Sequence, residues 1–335
     1  MKFLQRLFGP RVTSAPLSRP ASATNLLWRM DASLPIPDWE AYHERAPVAA
    51  NDAELHVWWG AVAHGWVDAL QASLGAGSHA VAWSESFLLL SAMPARQNQL
   101  VLQVCERIRR HILRVLDGTA SAEGFGPIVV LVLADAETYY RYIANYGDSD
   151  AQALSGGVFI DGGYGHFVTV SNQVDELEPI LAHELTHCLL RHLPLPTWVN
   201  EGLAVCCEHG LVPHTGDPRY ALYTPGEMAA RHAGFWTAET IQQFWSGKSF
   251  LRPDIGNSLS YDLAERLVQR FARPGMPLRD FLLAVDAADG GAAAARDWFG
   301  LELEQLVTGV LGPGPWAPRP ELWASGVEHG QFTVA

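Results

Sequence analysis

Residues 182–188 hold two histidines four positions apart, with a glutamate directly after the first: His183, Glu184 and His187. On a helix, residues at this spacing lie one turn apart on the same face, so both imidazole rings can approach one ion. Two imidazoles at this spacing suit zinc, whose nitrogen ligands lie at about 2.0–2.1 Å. Glu184 is close enough to reach a water molecule on that ion without being a ligand. It can therefore act as the base that deprotonates the water.

A second candidate helix supplies the third ligand. Pro194 and Pro196 stop the first helix and turn the chain, and Thr197 is a plausible N-cap for a helix running to about residue 210. The helix–turn–helix brings Glu201 back over the two histidines. A set of two histidines and one glutamate leaves the fourth position open for water, as in catalytic zinc sites. A glycine such as Gly202 destabilises a helix interior by about 1 kcal/mol relative to alanine. A close approach of the two helices around the metal would explain why glycine occupies this position.

Together, His183-Glu184-x-x-His187 and Trp198-x-x-Glu201-Gly202-x-Ala204 resemble the gluzincin zinc metallopeptidases, most closely the small bacterial peptidase MA-like families. The specific resemblance covers residues 155–210, and a looser one extends to about residue 275. It implies that His183, His187 and Glu201 bind Zn²⁺ and that Glu184 is the general base.

The resemblance also implies a donor for the oxyanion of the reaction. In the small families a tyrosine opens a later helix with the pattern Tyr-x-x-small-x-x-(Leu/Val)-Val, and the segment that begins at Tyr261 fits this pattern. We therefore expect Tyr261 to be the oxyanion donor, with catalytic roles falling on Glu184 and Tyr261. Tyr223 and His232, in the segment between, remain alternatives.

The remaining periodicity predicts an α+β fold. Residues 127–133 form a short apolar run typical of a buried central strand, and residues 157–160 and 166–170 flank a glycine-rich turn, which predicts a hairpin. Further predicted elements are helices at 54–74, 96–117, from 258, 278–288 and 301–311, a strand at 81–93, and a loop-rich region at 211–250.

The resemblance implies a zincin-like core, in which a small mixed sheet lies over the metal-binding helix. The edge strand of that sheet would come from the hairpin and would pair with an extended peptide substrate. His166 on this hairpin is expected to be half-exposed. We divide the chain into a flexible segment (1–30), an N-terminal α/β extension (31–120), a gluzincin-like metallopeptidase domain with a helical C-terminal part (121–315) and a weakly patterned tail (316–335).

Composition narrows the class of protein. The 335 residues are 48% hydrophobic and 18% charged, which fits a globular chain with a sizeable core. A net charge of −13 argues against nucleic acid and anionic membranes as partners. The sequence has no segment typical of a signal peptide or membrane span, and its four cysteines are interpreted as buried free thiols, so we expect a cytoplasmic location.

These features predict a zinc-dependent peptidase acting on a peptide or protein substrate. One alternative is a non-catalytic gluzincin-like protein that binds or regulates a partner. Another is a zinc hydrolase that acts on non-peptide amides. The presence of Glu184 favours an enzyme, whereas the sequence predicts neither the substrate sequence nor the oligomeric state.

Overall fold

A computed structural model describes residues 21–47, 50–75, 77–122, 124–146, 157–170, 173–217, 221–323 and 332–334. Most of the predicted flexible segment at 1–30, and much of the tail at 316–335, lie outside the described residues. Over the described ranges the chain is mixed α+β, with one sheet and helices on both of its faces, which confirms the predicted class.

Six strands form the sheet in the described part of the chain, in the order β1-β2-β3-β5-β4-β6. Strands β2, β3 and β5 are parallel to one another, and the remaining neighbours are antiparallel. The predicted central strand is β3, and the predicted hairpin is β4 with β5. The bounds are β1 Ala80–Trp83, β2 Phe87–Ser91, β3 Ile128–Val132, β4 Gly157–Ile160, β5 His166–Thr169 and β6 Phe332–Val334.

The single strand predicted at 81–93 is wrong, because the chain reverses there and forms the antiparallel pair β1 and β2. The turn is held by the carboxylate of Glu106, which accepts hydrogen bonds from the Ser84 hydroxyl and the Ser86 amide, both at 2.8 Å. Because the partner carboxylate lies on a helix twenty residues further on, local periodicity carried no sign of this turn.

Alternating strand side chains divide the interior into two cores. On one face of the sheet, strand side chains such as Leu88 and Leu90 pack against a layer formed by α1, α2 and α4. On the other face, strand side chains such as Phe87 and Leu89 pack against α3 and α5. Helices α6 and α9 pack behind α5. The bounds are α1 Trp39–Arg45, α2 Asp52–Ser73, α3 Ala95–Val115, α4 Ala136–Ile143, α5 Val174–Leu190, α6 Thr197–Leu211, α7 Pro225–Phe235, α8 Thr240–Trp245, α9 Gly256–Phe271, α10 Leu278–Ala284, α11 Ala292–Phe299 and α12 Leu303–Leu311.

The region 211–250 is more helical than predicted. Pro225, which suggested a loop, is the first residue of α7 and follows a capping box formed by Thr224 and Glu227. Proline fits the first turn of a helix because its missing amide proton would have no partner there. The alanine-rich stretch that begins at residue 292, which was expected to connect two helices, forms α11.

The prediction that His166 is half-exposed is wrong. The residue is fully buried on the face of the sheet away from α5. Its ring nitrogens bond the Tyr142 hydroxyl at 2.8 Å and the Tyr164 carbonyl at 2.6 Å. Burial lowers the pKa of His166 to about 4. We therefore assign His166 a structural role in the core.

Two features bear on how the chain is organised. The sheet includes β1 and β2 from the proposed N-terminal extension and β3 to β5 from the proposed metallopeptidase domain, so it crosses the boundary placed at residue 120. Within the described ranges, no helix is both long enough and apolar enough to cross a bilayer.

Candidate metal centre

Helix α5 carries the two histidines through the interior. Asp175 and Glu176 lie in its first turn, where negative charge is favourable at the helix N-terminus. From Leu181 to Leu190 every residue is buried, because the helix is covered by the sheet, α3 and α6. A charged or polar side chain on this stretch must therefore find its partner inside the protein.

The two prolines after α5 turn the chain as predicted, and α6 returns alongside α5. This antiparallel pair brings Glu201 to both histidines. The Glu201 Oε2 atom lies 3.2 Å from His183 Nε2 and 3.4 Å from His187 Nε2. All three side chains are buried, and their ligating atoms lie within 4.8 Å of one another. The structure thus places the three predicted ligands together.

These distances fit a metal ion. Donor atoms about 2.0–2.1 Å from a tetrahedral zinc are separated from one another by about 3.3–3.4 Å. The separations of 3.2 and 3.4 Å between Glu201 Oε2 and the two Nε2 atoms match that value. Moreover, His187 makes no regular hydrogen bond within the described residues, although both of its ring nitrogens are buried: Nδ1 has no partner, and Nε2 has only its 3.4 Å contact with Glu201. A buried imidazole in this state is the donor that a metal ion requires.

Charge supports the same conclusion. Glu184 and Glu201 place two carboxylates in the interior, 0% and 3% exposed respectively, and burying such charges is unfavourable without compensation. Burial opposes ionisation throughout the cluster, yet attraction to the imidazoles lowers the pKa of Glu201, and hydrogen bonds to Glu201 and Glu208 raise the pKa of His183. A proton can thus compensate one of the charges, and a divalent cation can compensate both.

Glu208 adds a further contact to the first histidine. Its Oε2 lies 3.4 Å from His183 Nδ1, on the side of the ring opposite Nε2. A carboxylate in this position fixes the ring orientation and would direct Nε2 to a metal ion held by the three ligands. Glu208 follows Glu201 by seven residues on α6, a spacing of two turns that made it the next candidate ligand after Glu201 from sequence. It does not belong to the group of three ligands.

The Glu184 carboxylate contacts the sheet. Its Oε2 accepts a hydrogen bond of 2.8 Å from the backbone amide of Phe159 on β4. The carboxylate is therefore positioned by a main-chain amide of the hairpin that we expected to supply the substrate-pairing edge strand. One residue along α5 from the first ligand, it lies beside the metal group without joining it.

Helix α9 brings Tyr261 next to the site. The centroids of the Tyr261 and His183 rings are 6.2 Å apart. Burial, followed by the negative charges of Glu201 and Glu184, raises the pKa of Tyr261 well above its usual value. The phenol therefore remains protonated and able to donate a hydrogen bond.

Gly202 allows this arrangement. A Cβ atom at Gly202 would lie 2.6 Å from the carbonyl oxygen of Ala264 and 2.7 Å from Val268 Cγ2, both on α9. The close approach that we predicted is therefore real, but its partner is α9 rather than α5. Gly202 and Glu201 thus face different helices, and α6 links the metal ligand to the helix that carries Tyr261.

The two alternatives to Tyr261 have other contacts. His232 binds Asp262 through Nε2 at 2.7 Å and accepts a hydrogen bond from the Trp236 indole on Nδ1 at 2.8 Å, so both of its ring nitrogens are engaged. The guanidinium of Arg231 lies over the ring of Tyr223, and the distance from Arg231 Cζ to the ring centroid is 3.6 Å.

The cysteines lie outside the group of metal ligands among the described residues. All four are free thiols, as predicted, and Cys105, Cys188 and Cys207 are buried. Cys206 is only partly buried, which corrects the expectation for that residue. Burial raises the pKa of Cys188 to about 11 and keeps the thiol protonated, consistent with a packing role on α5.

No protein-family model and no curated protein matches this chain. The chemistry assigned to the site therefore rests on its own residues: a buried His-His-Glu group with metal-binding distances, a carboxylate beside it and a protonated phenol next to it.

Proposed function

We propose that the protein is a zinc-dependent peptidase with a zincin-like core, formed by the mixed sheet together with α5 and α6. The observation that carries the proposal is the convergence of His183 and His187 on one oxygen of Glu201 at 3.2 and 3.4 Å, with Glu184 directly beside this group. Glu184, held there by the Phe159 amide at 2.8 Å, supplies the carboxylate that a general base requires.

A zinc ion held by the three ligands would lower the pKa of a coordinated water to about 7 and polarise the carbonyl of the scissile bond. Glu184 accepts a proton from the attacking water, whose oxygen forms the new C–O bond. It later delivers this proton to the leaving amine as the C–N bond breaks. Tyr261 donates its hydroxyl proton in a hydrogen bond to the developing oxyanion.

The proposal is tested with Glu184→Gln. The amide is nearly isosteric with the carboxylate but cannot accept the water proton. We expect the variant to keep its metal and its fold and to lose a factor of at least about 10²–10⁴ in the rate of peptide hydrolysis. The assay is cleavage of a peptide library, read by mass spectrometry, with metal content measured on the same samples.

The outcomes separate the candidate functions. Equal cleavage by wild type and Glu184→Gln would contradict the mechanism. Metal binding without cleavage of any library peptide would favour a binding protein or a hydrolase of non-peptide amides.

A further inference from the structure

The strand next to Glu184 is already paired with the C-terminus of the chain. Strand β6, Phe332–Val334, lies antiparallel to β4, and the register places Thr333 opposite Phe159. Directly opposed residues in an antiparallel pair have Cα atoms about 4.5–5.5 Å apart. Because the Phe159 amide donates to Glu184, the C-terminal strand passes close to the proposed general base.

This contact covers the surface that a peptide substrate would need. Without β6, strand β4 would be the edge of the sheet in the described part of the chain. An exposed edge pairs with an extended peptide through the same main-chain donors and acceptors that β6 uses. A peptide substrate and β6 would therefore compete for β4.

The burial of the reacting groups indicates that the site is closed. Glu184 is 0% exposed, and His187 is only 2% exposed. Hydrolysis of a peptide requires a scissile bond to come within hydrogen-bond reach of the general base. Some covering segment must therefore move before a substrate can react.

The C-terminal strand is well suited to move. It is three residues long, shorter than the usual five or six, and among the described strands its only partner is β4. Its sequence, Phe-Thr-Val, contains aromatic and β-branched residues, which explains why so short a segment still pairs with β4. Displacing it requires breaking one short ladder and leaves the other five strands in place.

We propose that the β4 edge is a peptide-binding surface and that the chain's own C-terminal strand occupies it as a displaceable inhibitor. The consequence for catalysis rests on the proposed peptidase function, whereas the occupancy of the edge does not. An extended substrate peptide would have to displace β6 before it could pair with β4.

The test compares the full chain with two variants. One ends at residue 331 and so lacks β6. The other keeps the full length but carries Phe332→Pro and Thr333→Pro. Successive amides of a strand point in alternate directions, so one of the two substitutions removes an amide that faces β4. The matched control carries alanine at both positions.

Two measurements are independent of catalysis. Hydrogen–deuterium exchange follows the amides of β4, and fluorescence anisotropy follows a labelled synthetic peptide with the sequence of residues 326–335. We expect both opened variants to exchange faster at β4 and to bind the peptide, and the full chain and the alanine control to do neither. Unchanged exchange with no peptide binding would overturn the inference.

Peptide hydrolysis is the third measurement. Release of an occluding segment should raise kcat/KM by roughly 5- to 150-fold, the range typical of coupling between two states, and added peptide should reverse the increase. If the shortened chain fails to fold, the same three measurements on the full-length proline variant test the inference. Opening of β4 without hydrolysis by any variant would refute the peptidase function alone. Hydrolysis that is insensitive to β6, with β4 exchange unchanged, would refute the inhibitor alone.

Discussion

Gly202→Ala tests how the two sides of the site are joined. The added Cβ would lie 2.6 Å from the Ala264 carbonyl oxygen and 2.9 Å from the carbonyl carbon, and neither atom can rotate away as a side chain could. Helix α9 must therefore shift. Such overpacking typically costs about 1–3 kcal/mol, whereas replacing a helical glycine by alanine gains up to about 1 kcal/mol.

Gly210→Ala on the same helix isolates the packing effect. A Cβ at Gly210 meets no atom within 4 Å, so this variant keeps the gain in helix propensity without the clash. The propensity gain is common to both variants and cancels in their comparison. We therefore expect Gly202→Ala to be about 1–3 kcal/mol less stable than Gly210→Ala.

The measurement is urea denaturation of both variants at one fixed zinc concentration, because bound metal shifts the apparent stability. The displacement of α9 should also move Tyr261, so Gly202→Ala should hydrolyse peptides more slowly than Gly210→Ala does. Equal midpoints and equal rates for the two variants would refute the close contact between α6 and α9.

Other predictions concern individual groups of the site. Tyr261→Phe should keep its metal and its melting temperature while the rate constant falls by about 10²–10³; an unchanged rate would move the oxyanion role to another group. Glu208→Ala should weaken zinc binding by about 10- to 100-fold in competition with a chelator, and wild-type affinity would show that the contact with His183 does not position the ring. A chelator should lower the melting temperature of the wild type but leave Glu201→Ala nearly unaffected.

The local parts of the site were predictable because helical spacing determines which side chains share a face. The four-residue interval between His183 and His187 and the turn before α6 were sufficient to place Glu201 against both rings. Tyr261 was proposed from the family resemblance rather than from helical spacing; it lies on α9, and its partners depend on tertiary packing. Gly202 was singled out correctly, but sequence could not show which helix it meets.

Features that depend on distant partners were missed. Glu106 holds the turn between β1 and β2 from a different element, and β6 joins the sheet more than 160 residues after the strand it pairs with. His166 was misjudged because strand alternation does not reveal that a layer of helices covers the second face of the sheet. Each of these three errors comes from a contact between segments that are separated in sequence, whereas the missed helix α7 has a local cause, its capping box at Thr224 and Glu227.

The central claim is that His183, His187 and Glu201 form one metal site, and metal analysis tests it most directly. Protein purified and equilibrated with zinc should contain about one zinc per chain, as expected for a site with three protein ligands. His183→Ala and Glu201→Ala, treated identically, should lose most of it while remaining folded by circular dichroism. Wild-type zinc content and affinity in Glu201→Ala, or no bound zinc in the wild type, would contradict the account.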